Sequence, residues 1–407
     1  MKVKKNHITL LTGILLVICM IAGCRPMNKE SAVDADWEEV LAELKETAPN
    51  EVEDHISIEV SKNFIFDADI SVSDELDTYS LEEVTMYRRI FEEEEKEIFL
   101  QRLMDETGWC GEEALTQAVL YGEEVDVPTY ENGQIDETLI LEFEDKTAWI
   151  GDLDIHVGND TFIEKYGIFT DNLFPSRTSN PATDYIEIIK EPAELDFMSL
   201  QEAETYIKQF SESFGIEFQC ETISYVCTLE RLEKIANLLE DYKQQYRPDY
   251  EAPDFTKEEE AYIIVLQQGY KGVPILPYNL SKTETNTTWT STQCYAFYSA
   301  NGIEELSLQY VFDIKKGMNP KEILSLGDIL ERYCDQYADS IGIKETVVKV
   351  QLHYLPVLTD EETGEFTAKP VWYVLSNIER DTPEGKTMTR RATVYDAVTG
   401  EVLKWEE

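Results

Sequence analysis

The feature that most limits what this chain can fold into is the alternation of apolar and polar residues with a period of two. It is clear over residues 64–72 and returns many times in the second half of the sequence. Because successive side chains of a strand point to opposite faces of a sheet, this period predicts strands with one buried face. The predicted strands lie near residues 56–60, 64–72, 84–90, 139–143, 149–157, 262–268, 273–278, 305–314, 348–357, 371–378 and 389–405.

Fewer segments have the helical period of 3.6 residues. The predicted helices begin near Trp37, Glu92, Leu200, Leu229 and Gly327. The third of them follows a capping box formed by Ser199 and Glu202. Helices that interrupt runs of strands, without regular β-α-β alternation, predict an α+β fold with antiparallel sheets and helices packed on them. The same pattern argues against a solute-binding protein of a transporter.

A polar segment near residues 190–198 divides the chain into two predicted lobes. We expect an N-terminal α+β domain over residues 37–192 and a C-terminal α+β domain over residues 193–407, and one large elongated domain is the alternative. At 43% hydrophobic residues, the chain can bury the core that two such domains need.

The first 23 residues have the layout of a bacterial secretion signal. Three lysines precede an apolar run from Ile8 to Ala22, and Gly23 precedes Cys24. Small residues before a cysteine resemble the lipobox, where diacylglycerol is attached to the thiol and the chain is cleaved before it. We expect cleavage between Gly23 and Cys24, a lipid on Cys24, and a polar tether over residues 24–36. An ordinary cleaved signal and an uncleaved anchor, which would need about 20 apolar residues, are the alternatives. All three put the remaining chain outside the cytoplasmic membrane.

Acidic side chains outnumber basic ones by 82 to 35, which gives a formal net charge of −47. Removal of the signal takes away three lysines and no acids, so the mature charge is −47 − 3 = −50. Nucleic-acid binding requires a basic stripe, so we expect no nucleic-acid partner. Anionic lipid would repel the domain, and we therefore expect contact with the membrane through the lipid on Cys24.

One strand carries a candidate metal site, because Asp152, Asp154 and His156 alternate and can share a face, with Asn159 and Asp160 in the following turn. The competing interpretation is an exposed strand face, which we also favour for Asp67 and Asp69. Cys220 and Cys227 could form a disulfide, but buried free thiols are the favoured interpretation.

Motifs of known enzymes are missing from the sequence. None of the three histidines of the mature chain stands in a hydrolase motif, and His353 alternates with polar residues on a predicted wet face. There is no phosphate loop or dinucleotide fingerprint. The sequence therefore predicts no cofactor and no enzyme. A hydrolase that uses paired carboxylates is the alternative, because 82 acidic residues offer many pairs.

The C-terminal part resembles known envelope domains. The sequence VYDAVTGEV, from Val394 to Val402, is similar to the terminal hairpin of PepSY-type domains. The segments 352–356 and 369–373 resemble the closing strands of YycI/YycH-type extracytoplasmic regulators, which have a transmembrane helix in place of a lipid. The whole chain resembles a family of clostridial lipoproteins of unknown function, in which a lipobox precedes a strand like that over residues 65–70. The resemblance implies a non-catalytic module that binds or regulates an envelope protein or peptide, and no catalytic residues.

Overall fold

The computed structural model describes residues 37–107, 139–143, 146–151, 154–173, 185–244, 249, 251–277, 292–338, 340, 342–360, 363–382 and 385–403. Within these residues, seven α-helices pack on two seven-stranded sheets. The predicted α+β fold class is confirmed. Among the described residues, no helix has both the length and the apolar character needed to cross a membrane.

Helices and strands are interspersed along the chain without a regular repeat. The helices are α1 (Trp37–Glu46), α2 (Glu93–Thr107), α3 (Asp160–Leu173), α4 (Ile186–Ile189), α5 (Leu200–Glu212), α6 (Leu229–Gln244) and α7 (Leu326–Tyr337). The strands are β1 (His55–Ser61), β2 (Phe64–Ser71), β3 (Ser80–Arg88), β4 (Leu139–Phe143), β5 (Lys146–Ile150), β6 (Asp154–Asn159), β7 (Ile223–Cys227), β8 (Ala261–Leu266), β9 (Gly269–Tyr270), β10 (Val273–Pro274), β11 (Gln293–Ser299), β12 (Gly302–Gln309), β13 (Phe312–Glu322), β14 (Ile343–Asp360), β15 (Glu365–Thr382) and β16 (Gly385–Asp396).

The central sheet has the order β4-β5-β6-β12-β11-β8-β7 and is antiparallel throughout. Helices α2 and α5 cover one face, where the rings of Phe99 and Phe210 are 6.2 Å apart. Helices α3, α4 and α6 cover the other face, where Phe162 stacks on Tyr166 at 4.0 Å. Because both faces are covered, all six residues of β8 are buried, and its sequence is a continuous apolar run.

The terminal sheet has the order β1-β2-β14-β15-β3-β13, and β16 pairs with the part of β15 that β3 leaves free. Helices α1 and α7 cover one face, where Trp37 stacks on Phe66 at 5.0 Å. Strand β2 joins β14 in parallel. This pair departs from the antiparallel arrangement predicted for the sheets. A parallel pair requires a crossover connection, and here that connection contains the whole central sheet.

The structure differs from the predicted elements at several places, among them α3 and the strand predicted over residues 149–157. Helix α3 has no counterpart among the predicted helices, although Phe162, Tyr166 and Phe169 recur at helical spacing. The strand predicted over residues 149–157 is divided into β5 and β6, because the chain turns at Gly151, whose N–H donates to Asp154 O at 2.8 Å.

Each sheet contains strands from both sides of the predicted boundary between residues 192 and 193. Strand β3 pairs with β13, and β6 pairs with β12. The boundary therefore divides the sequence but does not separate the two sheets. Gln268 links them, because its side chain donates to Phe312 O at 2.9 Å and accepts from Phe312 N at 2.7 Å.

Candidate functional site

A cavity of about 380 Å³ lies on the face of the central sheet that α3 covers. Its strand residues are Thr147, Trp149, Asp154, His156, Tyr295 and Gln309. The first turn of α3 adds Asp160 and Ile163. Small-molecule sites in proteins have volumes of about 300–1,000 Å³, so this cavity could hold a small ligand or one side chain of a peptide.

The strand register arranges the side chains beneath the cavity in rows. Trp149 lies opposite His156, His156 lies opposite Ser307, and Ser307 lies opposite Tyr295. Directly opposite residues have Cβ atoms about 4.5–5.5 Å apart, so these four side chains form one continuous row across β5, β6, β12 and β11. The row joins an indole, an imidazole, a hydroxyl and a phenol.

A second row explains how α3 can lie close to the sheet. It contains Gly158, with Glu305 opposite on β12. A Cβ atom at Gly158 would come within 2.1 Å of Ile163 Cδ1, so a larger residue would force the Ile163 side chain in the first turn of α3 to move. The helix start is also fixed by Thr147, whose hydroxyl donates to the two carboxylate oxygens of Asp160 at 3.2 and 3.3 Å.

Glu305, in this second row, is a buried acid that contacts Tyr295 of the cavity wall. It is only 4% exposed, and its Oε1 accepts a hydrogen bond of 2.6 Å from the Tyr295 hydroxyl. Burial raises the pKa of Glu305 to about 7, although the bond from Tyr295 acts in the opposite direction. Near neutral pH the protonated and ionised forms of this acid are therefore both populated.

His156 is the titratable base of the row. Burial lowers its pKa, and the nearby charge of Asp160 opposes that shift. Its Nδ1 is buried and, among the described residues, has no hydrogen-bond partner. The imidazole is therefore neutral near pH 7 and can donate or accept a hydrogen bond without a change of charge.

The candidate metal ligands lie partly in this cavity. Asp154 and His156 both line it, and they lie on the same face of β6. Asp152 lies outside the described residues. Within the part of the chain that the structure describes, no group of three or more His, Cys, Asp or Glu side chains is placed to hold a metal ion. A metal site formed by all three residues stays a prediction.

Asp160, which was named from the sequence in the turn after the candidate metal ligands, also lines the cavity, whereas sequence reasoning missed most of the other residues of the site. Trp149, Tyr295 and Glu305 join the cavity region only through the register of strands that are far apart in the sequence. A weak signal existed for Glu305, because an acid in the middle of an otherwise apolar strand has to be exposed, paired or neutralised. Glu305 bonds to a tyrosine rather than to a second carboxyl, and the hydrolase alternative also stays a prediction.

The other candidates named from the sequence lie elsewhere. Asp67 and Asp69 are exposed, as predicted, and the His55 ring lies between them, with Nε2 3.2 Å from Asp67 Oδ1 and Nδ1 3.0 Å from Asp69 Oδ1. Cys220 and Cys227 are free and buried, which confirms the favoured interpretation.

His353 lines a second cavity of about 280 Å³ that strands of both sheets border. It is only 2% exposed, and burial lowers its pKa to about 4. The prediction of a wet face is therefore wrong. The physical reason is that Leu355, Val371 and Tyr373 form a second core on this side of the terminal sheet.

Comparison with known proteins adds information on the fold only. No protein-family model matches the chain, and no curated protein matches it. The chain is similar to the crystal structure of an uncharacterized protein from Eubacterium rectale ATCC 33656, with a TM-score of 0.70 and 16% sequence identity. The alignment covers 92% of this chain and 100% of that one. Such a likeness supports the α+β architecture.

Proposed function

We propose that this protein is a lipid-anchored extracytoplasmic binding module, without catalytic activity, that recognises a peptide or a small molecule of the cell envelope in the cavity beside α3. One observation carries the proposal. The cavity combines an exposed indole, Trp149, with the hydrogen-bonding groups of Asp154, His156 and Gln309. Binding sites typically have this composition, an apolar surface with a few placed polar groups.

The anchor in this proposal is the lipid on Cys24. The tether over residues 24–36 has 13 residues, and an extended chain spans at most about 3.6 Å per residue. The tether can therefore hold the folded part up to about 45 Å from the bilayer. This reach, together with the repulsion between a net charge of −50 and anionic lipid, favours a cavity that faces other envelope molecules rather than the membrane.

The contacts in the cavity favour binding over catalysis. Ser307 stands opposite His156, but it is only 1% exposed, and a nucleophile has to be accessible to its substrate. Glu305 is also buried, and its bond to Tyr295 stabilises the phenol and carboxyl as a pair. The groups that reach the cavity wall are those that orient a ligand.

The test of the anchor is the variant Cys24→Ala. We expect it to release the protein from the membrane or to leave the precursor uncleaved, and we expect mass spectrometry of the wild-type N-terminal peptide to show a lipid on Cys24. Normal processing with unchanged membrane retention in the variant would contradict the anchor.

The test of binding is native mass spectrometry of the detergent-solubilised lipoprotein, purified from the membranes in which it matures. We expect a bound mass in the wild type that Trp149→Ala reduces. Met388→Ala is the matched control, because Met388 is also 43% exposed but lies on β16 of the terminal sheet. A wild type without bound mass, or a bound mass that Trp149→Ala leaves unchanged, would overturn the proposed function.

A further inference from the structure

We infer that the ligand group bound in this cavity is an organic cation, either a quaternary ammonium or a protonated amine. The inference rests on the proposed function and names the chemistry of its ligand. It follows from the charge of the cavity walls, from the position of the aromatic rings, and from the polar groups that lie between them.

The charge of the walls is negative. Asp154 lies on β6 and Asp160 at the start of α3, and the described residues that line the cavity include no lysine and no arginine. The mature chain also carries a large excess of acid, so anions are repelled from a distance. A carboxylate, phosphate or sulfate group would have no cationic side chain among these residues to bind it.

The two carboxylates occupy different positions in the cavity wall. Both oxygens of Asp160 accept from the Thr147 hydroxyl, and a negative charge at a helix N-terminus is favoured by the helix dipole. Asp160 therefore helps to fix the start of α3 against β5. Asp154 shares a strand face with His156 and lies opposite Gln309, so its carboxylate adds negative charge beside the polar groups of the cavity.

The aromatic groups provide the second part of the recognition. Trp149 is 43% exposed although it is a large apolar side chain. The face of an indole ring attracts cations more strongly than any other side-chain ring, and aromatic rings are the common binding surface for quaternary ammonium groups. Tyr295 lies at the other end of the row that begins with Trp149, and its hydroxyl donates to Glu305.

The polar groups between these ends suit the remainder of such a ligand. His156 carries two ring nitrogens, and Gln309 carries an amide with both donors and acceptors. The amide of Gln309 adds no positive charge that would compete with a bound cation. They can form hydrogen bonds with the hydroxyl or amide of a ligand whose charged end lies between Trp149 and Asp154.

The experiment is isothermal titration calorimetry on the detergent-solubilised full-length lipoprotein with two matched pairs of probes. The first pair is choline and its neutral isostere 3,3-dimethylbutan-1-ol, and the second is lysine amide and norleucine amide. We expect at least one cation to bind about tenfold or more tightly than its neutral partner. The pair that shows the difference tells a quaternary ammonium from a primary amine.

Substitutions inside and outside the cavity test whether the cation binds there. Asp154→Asn and Trp149→Ala should each weaken cation binding about five- to tenfold, while Asp381→Asn and Met388→Ala should leave it unchanged. The inference is overturned if neither cation binds, if each neutral isostere binds as tightly as its cation, or if Asp154→Asn has no effect. These outcomes are distinct from failure of the proposed function, which is decided separately by the bound mass in the native protein.

Discussion

The buried carboxyl of Glu305 makes the stability of this protein depend on pH in a way that one substitution can isolate. Glu305 is 4% exposed and accepts a hydrogen bond from Tyr295. Burial raises its pKa from 4.5 to about 7. The folded protein therefore binds this proton more tightly than the unfolded chain does.

The sign of the effect follows from linkage. For an acid whose pKa is raised in the folded state, the free energy of unfolding is highest below pH 4.5 and decreases as the pH rises from 4.5 to about 7. A pKa that rises from 4.5 to about 7 changes the free energy of unfolding by about 3 kcal/mol, because a tenfold change in a proton affinity corresponds to about 1.4 kcal/mol. Ionisation of Glu305 should therefore cost about 3 kcal/mol of stability, and most of this loss should be complete by about pH 7.

The variant Glu305→Gln removes this titration but keeps the size of the side chain and an oxygen that can accept from Tyr295. We expect the variant to be more stable than the wild type by about 3 kcal/mol at pH 8, with a much smaller difference at pH 5. Urea unfolding of both proteins at four pH values from 5 to 8 measures the difference. The contributions of the histidines are common to both proteins and cancel. A difference that stays constant over this range would refute the reasoning.

Two further predictions concern other buried or strained positions. The pKa of His353 is lowered to about 4, so its contribution to stability is complete above pH 6.5 and is lost as the pH falls toward 4. In urea unfolding, the variant His353→Leu should lose about 3 kcal/mol less stability than the wild type over this pH range. An equal loss in both proteins would contradict this. Gly400 has φ +70° and a Cβ there would lie 2.6 Å from Arg332, whereas Gly364 has φ +65° and open space around it. Gly400→Ala should therefore lower the melting temperature more than Gly364→Ala, which should cost only about 1 kcal/mol for the backbone. If both variants lower the melting temperature equally, the Arg332 side chain moves aside.

Local features of the fold could be predicted from the sequence because their causes are local. The alternation over β2 corresponds to alternating burial, with Phe64, Phe66 and Ala68 inside. The capping box of Ser199 and Glu202 forms at the start of α5 as predicted, with both bonds present. In each case the atoms that interact lie within a few residues of one another, so the pattern of residue types is sufficient.

Features that depend on distant segments could not be predicted. The parallel pairing of β2 with β14 joins residues near 65 and 346, and neither strand carries a signal for the other. His353 has polar neighbours on one side along its strand, but most of the core that buries it comes from β15 and β16, which alternation on β14 cannot reveal. The same limit applies to the cavity. Asp154 and His156 were visible as an alternating pair, while the residues that complete the row come from β5, β11 and β12.

In the proposed function one part of this chain is held at the membrane and another binds a ligand, and the order of the strands keeps these two parts on different sheets. Helix α1, the first described element after the predicted tether, packs on the terminal sheet and is joined to α7 by the bond from Lys45 Nζ to Glu331 at 2.8 Å. The cavity lies on the central sheet, whose strands come between β3 and β13 in the sequence. A force on the tether would therefore act first on α1 and the terminal sheet. It would reach the cavity only through links such as the two bonds of Gln268 to Phe312, so those links are where an effect of tension on binding should be sought.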